Sequence, residues 1–127
     1  MKNFNKLLAL VFVISILNTS CNNNDVIPDL TDGISGTYIG SINVVSPSYQ
    51  NASYVVTVSK VSSTRVRITP QGSEASTWEQ DVMKPSSTSV TCVVCTTNQL
   101  TFDMSHSPIT IAYNYNNSAE QFSGSKQ

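Results

Sequence analysis

Cys92-Val93-Val94-Cys95 is the stretch that most invites a chemical reading, because two thiols at this spacing can serve redox exchange or zinc binding. Thiol–disulfide catalysis places its motif at the start of a helix in a βαβ setting, where the helix dipole lowers a thiol pKa. The residues around Cys92 read as strand, which sets that chemistry aside. A closed zinc site takes four ligands, and the chain adds only His106, in a different loop. Two readings of the pair stay open, a disulfide between Cys92 and Cys95 or two free thiols. An exported protein meets an oxidising compartment, which favours the bridge. Extended geometry opposes it: three strand residues span roughly 10 Å, against a limit near 7 Å between bridged Cα atoms. A bridge therefore requires a tight turn at Val93-Val94, which are poor turn residues.

Two other groupings have the right atoms for catalysis. His106 lies between Ser105 and Ser107, but neighbours in a turn rarely aim at one another and no nucleophile-elbow sequence is present. Glu79 and Asp81 could act as a paired acid and base of the glycosidase type. Beside Trp78, read as a surface tryptophan that would hint at a partner, they are expected to be solvated. No glycine-rich phosphate loop occurs. The chain is thus expected to be no enzyme and to use no metal or cofactor.

What positions these residues is a series of period-two segments. Tyr38, Ile42 and Val44 share a face in Gly36 to Val45, as do Tyr54, Val56 and Val58 in Ser53 to Val61. Arg65-Val66-Arg67-Ile68-Thr69 alternates charged with apolar side chains, so one face is buried and the other wet. Weaker strand patterns follow in Ala75 to Met83 and Ser89 to Thr96. Leu100, Phe102 and Met104 align in Gln99 to Ser105, as do Ile111, Tyr113 and Tyr115 in Ile109 to Tyr115, and Phe122 and Gly124 in Glu120 to Lys126. The pattern predicts an all-β domain, an antiparallel up-and-down meander of seven or eight strands. Closure into a small barrel, with a β-sandwich as the alternative, would protect its edges.

The N-terminus has a different character. Lys2 and Lys6 precede a mostly apolar run from Leu7 to Leu17, then small or polar residues lead to Cys21. This is the order of a secretory signal, and the run is shorter than the roughly 20 residues a membrane-spanning helix needs. Leu17-Asn18-Thr19-Ser20-Cys21 resembles the lipobox of bacterial lipoproteins, with Asn18 where that family usually has leucine. The resemblance implies a signal peptide over 1–20 and a lipid on Cys21 that holds the chain on a membrane. Two or three acyl chains make such attachment durable, where one is marginal. Asn22 is similar to the sorting pattern for the outer membrane of a Gram-negative cell, with the periplasmic or outer face left open. Residues 21–33 are expected to be the lipidated cysteine and an extended tether, and 34–127 the folded domain.

Gly36-Thr37-Tyr38-Ile39-Gly40, the run Tyr54 to Val61, and Phe122-Ser123-Gly124-Ser125-Lys126 resemble the small calycin-like, lipocalin-type lipoproteins of bacteria. The resemblance implies an up-and-down barrel and carries over no catalytic residue. In such a barrel Tyr38, Tyr54, Phe102, Tyr113 and Phe122 either line a pocket for a small apolar ligand or fill the core. Two functions follow: an envelope module that binds a small ligand inside or a protein or glycan at its rim, and a structural or accessory subunit acting through its outer surface. Nucleic acid is excluded as a partner, because Arg65 and Arg67 form only an isolated basic pair in a slightly acidic chain.

Overall fold

The computed structural model describes residues 29–127. The signal stretch 1–20, the lipidation site Cys21 and the tether as far as residue 28 lie outside the described residues. Eight strands follow one another: β1 Gly36–Val44, β2 Tyr49–Ser62, β3 Arg65–Pro70, β4 Trp78–Ser86, β5 Ser89–Cys92, β6 Gln99–Asp103, β7 Thr110–Tyr115 and β8 Glu120–Lys126. Each pairs antiparallel with the next, and β1 pairs with β8, so the meander closes into a barrel. Closure gives every strand a neighbour on each side, which decides between barrel and sandwich.

Alternation sorts the side chains as the sequence predicts. Tyr38, Val56, Val66, Ile68, Leu100, Phe102 and Ile111 are among the residues that point into one continuous core. Arg65, Arg67 and Thr69 face outward. At the last hairpin turn Asn116, Asn117 and Ser118 adopt left-handed backbone conformations, φ 51°, 56° and 69°; asparagine tolerates that region better than most residues.

Four local expectations change. β2 begins at Tyr49, not Ser53, and shifts register against β1 between Gly40 and Ile42. Such a bulge bends the strand and increases its twist. The weak pattern over Ala75 to Met83 is a strand, displaced to Trp78–Ser86. β5 ends at Cys92 rather than running to Thr96, because the chain bends at Val93 and Val94. Trp78 is not on the surface: it is 6% exposed and belongs to the core. Period two explains this, since Trp78 and Val82 share the inward face of β4 while Glu79 and Asp81 occupy register positions opposite Arg67 and Arg65.

The expected tether also ends earlier than 33. Thr31 and Ile34 are fully buried, and the turn they belong to covers the barrel end where β1 begins. The Tyr38 hydroxyl donates to the Ile34 carbonyl at 2.7 Å, and Lys126 Nζ donates to the Gly33 carbonyl at 2.8 Å. Lys60 forms ion pairs with Asp29 and, at 2.9 Å, with Asp32.

The Asp29 contacts make this attachment pH-dependent. The Lys60 ammonium and then the Thr31 hydroxyl hold the Asp29 carboxyl at about 2, below its ordinary 3.8. Since the folded value lies below the free one, the contribution is present above the free value and is lost as pH falls through the folded value. The protection of the Leu30 amide relative to its intrinsic exchange rate, set by an N–H that donates to the Ser63 carbonyl at 3.0 Å, is expected to fall between about pH 4 and pH 2 while that of the β6 amides holds. Unchanged protection at Leu30 over that range would exclude the ionic pin.

Candidate binding surface

The five aromatic residues that would either line a pocket or fill the core are all buried, packed against other rings. Tyr38 and Phe102 are both fully buried, with ring centroids 6.0 Å apart. Toward the opposite end Phe122 stacks on Tyr113 at 5.5 Å, Tyr113 meets Trp78 edge to face at 5.6 Å, and Trp78 stacks on Tyr115 at 5.2 Å. Tyr54 meets Tyr49 edge to face at 6.0 Å. Tyr54, Tyr113 and Phe122 are each no more than 4% exposed. An eight-stranded barrel is narrow enough for its side chains to fill, and here the large rings do so.

Polar atoms inside this cluster carry the mark of burial. The Tyr54 and Tyr113 hydroxyls and the Trp78 indole nitrogen have no protein hydrogen-bond partner. Burial raises the Tyr38, Tyr54 and Tyr113 phenols above their ordinary range, with nearby Glu120 adding to the effect at Tyr54 and Tyr113. Glu120 itself is 7% exposed, and its carboxylate accepts the Ser76 backbone N–H at 3.0 Å, fixing the loop between β3 and β4 over this end.

Of the candidates for chemistry, the cysteines form a disulfide with a Cα separation of 5.7 Å. The extended-strand objection fails because β5 stops at Cys92 and the bend at Val93-Val94 shortens the span. That bend is held from the side: Val93 N–H donates to the Asp81 carbonyl at 3.0 Å. Val93 and Val94 are left 51% and 63% exposed.

Glu79 and Asp81 are not a free carboxylate pair. Arg65 donates two hydrogen bonds to Asp81 at 2.7 Å, and Arg67 donates two to Glu79 at 3.0 and 2.6 Å. Cross-strand register places each arginine directly opposite its acid, and the Arg65 contact lowers the Asp81 pKa. Ser105 and His106, unlike most turn neighbours, do meet, with Oγ and Nδ1 2.7 Å apart. Asp103, however, accepts the Ser105 backbone N–H at 2.8 Å instead of orienting the imidazole. Ser105 and His106 are exposed to water on the loop between β6 and β7. Among the described residues no cluster of histidine, cysteine, aspartate and glutamate is arranged to hold a metal ion.

A concave feature lies on the outside of the barrel wall. An open groove of about 680 Å³ crosses β2, β1, β8, β7 and β6. Five amide side chains run along it at directly paired positions: Gln50 opposite Asn43, Asn43 opposite Gln121, Gln121 opposite Asn114, and Asn114 opposite Gln99. Beside this row the groove is lined by the small side chains of Ser41, Ser123, Ala112 and Ala52, and no aspartate, glutamate, histidine, lysine or arginine lines it. Sequence alternation marks these amides only as outward positions. Their alignment depends on which strands pair and in what register, and the bulge in β2 is what brings Gln50 level with Asn43.

By fold, this is an antiparallel meander barrel of eight strands, compatible with the calycin-like architecture that the sequence resemblance implies. No protein-family model matches the chain, and neither the curated proteins nor the solved structures include a significant match to it.

Proposed function

We propose that this protein is a lipid-anchored, non-enzymatic module of the bacterial cell envelope, of the calycin-like lipoprotein kind, that acts through its outer surface. The observation that carries this reading over an internal carrier is the filled barrel: Tyr54, Phe102 and Tyr113, which would have to face a bound apolar ligand, are at most 4% exposed. The lipobox-like sequence ending at Cys21 supports the anchor, and Asn22 supports the outer membrane of a Gram-negative cell.

The described chain starts at the barrel end closed by Thr31 and Ile34, so a lipid on Cys21 would hold that end toward the membrane. The wall and the far loops would then be free for a partner. Native mass spectrometry of the protein released gently from its own envelope tests the reading. The expected mass is that of the chain with its acyl groups alone or with a stoichiometric partner. A discrete additional small-molecule mass that survives in the gas phase and broadens the Tyr113 and Phe102 ring signals in solution would overturn it.

A further inference from the structure

We infer that the groove across β2, β1, β8, β7 and β6 is a recognition site for a neutral, hydroxyl-rich glycan chain. This rests on the surface-acting reading above and names the class of ligand. Five strands spaced roughly 4.8 Å apart carry the amide row over about 19 Å, long enough to engage a short oligosaccharide. The groove volume of about 680 Å³ lies in the range of small-ligand sites.

The chemistry of the row matches hydroxyl groups. A carboxamide offers a carbonyl acceptor and an NH2 donor side by side, and a sugar hydroxyl both donates and accepts. Gln50 donates to Asn43 at 3.1 Å and Asn114 donates to Gln99 at 3.1 Å. These contacts orient four of the amides before any ligand arrives and leave the Asn43 and Gln99 NH2 groups and the Gln50 and Asn114 carbonyls without a protein hydrogen-bond partner among the described residues. Preorganisation of this kind lowers the ordering cost of binding. Gln121 stands at the centre of the row, and its side-chain amide makes no hydrogen bond among the described residues. The small residues alongside let a ring approach the wall closely, and Ala52 and Ala112 give its C–H face an apolar contact.

Charge and topology choose among ligands. The lining has no arginine, lysine or histidine to pair with a uronate, sulfate or phosphate, and no carboxylate for a cationic ligand. A peptide captured by strand addition needs a free sheet edge, with pockets for alternate side chains. Along the row β1, β8 and β7 are paired on both sides and offer no such edge; only residues 49–54 of β2 and Gln99 and Leu100 of β6, at the two ends of the groove, lack a second strand partner.

The test follows the side-chain NH2 resonances of Asn43, Gln50, Gln99, Asn114 and Gln121 in the 15N-labelled full chain. The probes are gluco-, manno- and galacto-configured neutral oligosaccharides at millimolar concentration. At least one series is expected to shift these five amides together, with the Tyr38 and Phe102 ring signals unmoved. Gln121→Ala should then weaken binding by roughly five- to tenfold, as expected for one or two lost hydrogen bonds, while Lys84→Ala, on β4 outside the groove, leaves it unchanged. No shift with any series, or equal shifts from an uncharged Gly/Ser peptide of similar length, overturns the glycan assignment. That failure leaves the surface-acting reading standing if the native mass is free of a small molecule, whereas an internal small molecule removes both.

Discussion

Gly40→Val is expected to keep the barrel from closing. Gly40 of β1 lies opposite Gly124 of β8 in the seam that joins the first strand to the last. A Cβ built on Gly40 would overlap the Ser123 carbonyl and the Gly124 Cα, both backbone atoms. One on Gly124 would come within 2.7 Å of the Ile39 carbonyl oxygen and 2.6 Å of the Phe122 ring. The requirement is thus one of close approach, with φ at both glycines in the ordinary range.

A flexible side chain could swing away from such an overlap, but paired backbones can yield only by separating, which breaks the ladder that removes the sheet edges. Overpacking a core usually costs about 1–3 kcal/mol. Here the backbone must move, so a loss of roughly 4 kcal/mol or more is expected, a large share of the stability of a small domain. Urea unfolding followed by near-ultraviolet circular dichroism reads this directly. Gly33→Ala is the control: nothing lies within 4 Å of its added methyl, so a change within about 0.5 kcal/mol is expected. Equal stability of Gly40→Val and the parent would mean that the seam is not formed as described.

The second large effect is expected at Trp78. Its indole stacks on Tyr115 and meets Tyr113 edge to face, and only 6% of its surface reaches solvent. Trp78→Ala should cost about 3–5 kcal/mol, the usual range for removing a buried tryptophan. Trp78→Phe should cost much less, because it keeps most of the aromatic contact and removes an indole N–H that has no protein partner. As Trp78 is the single tryptophan of the chain, its fluorescence reports the site: blue-shifted emission and weak acrylamide quenching are expected in the folded protein. Strong quenching, with Trp78→Ala costing under about 1 kcal/mol, would return Trp78 to the surface.

Much of this architecture is written in short-range pattern. Period-two alternation in Arg65 to Thr69 and Ile109 to Tyr115 requires a half-buried strand whatever it pairs with, because adjacent side chains must point to opposite faces. The same alternation picked out the inward aromatics Tyr38, Tyr54, Phe102, Tyr113 and Phe122. It even held the burial of Trp78, which shares parity with Val82; the acidic neighbours Glu79 and Asp81 obscured it.

What remained undecided depends on the distances between segments. Whether Cys92 and Cys95 could bridge turned on where β5 stops, and the Asp81 carbonyl on the neighbouring strand helps set that bend. Whether the inward aromatics enclose a cavity or fill one depends on the barrel's width and on how the rings interleave, properties of the closed object alone. Residues 29–33 look like solvated tether by composition, yet Lys60 and the barrel end give them partners distant in sequence.

The amide row is the clearest case. Sequence alone makes Asn43, Gln50, Gln99, Asn114 and Gln121 five outward polar residues on five strands. Only the register of four strand pairings, including a one-residue bulge in β2, sets them side by side, because a slip of one residue in any pairing would turn that amide to the other face.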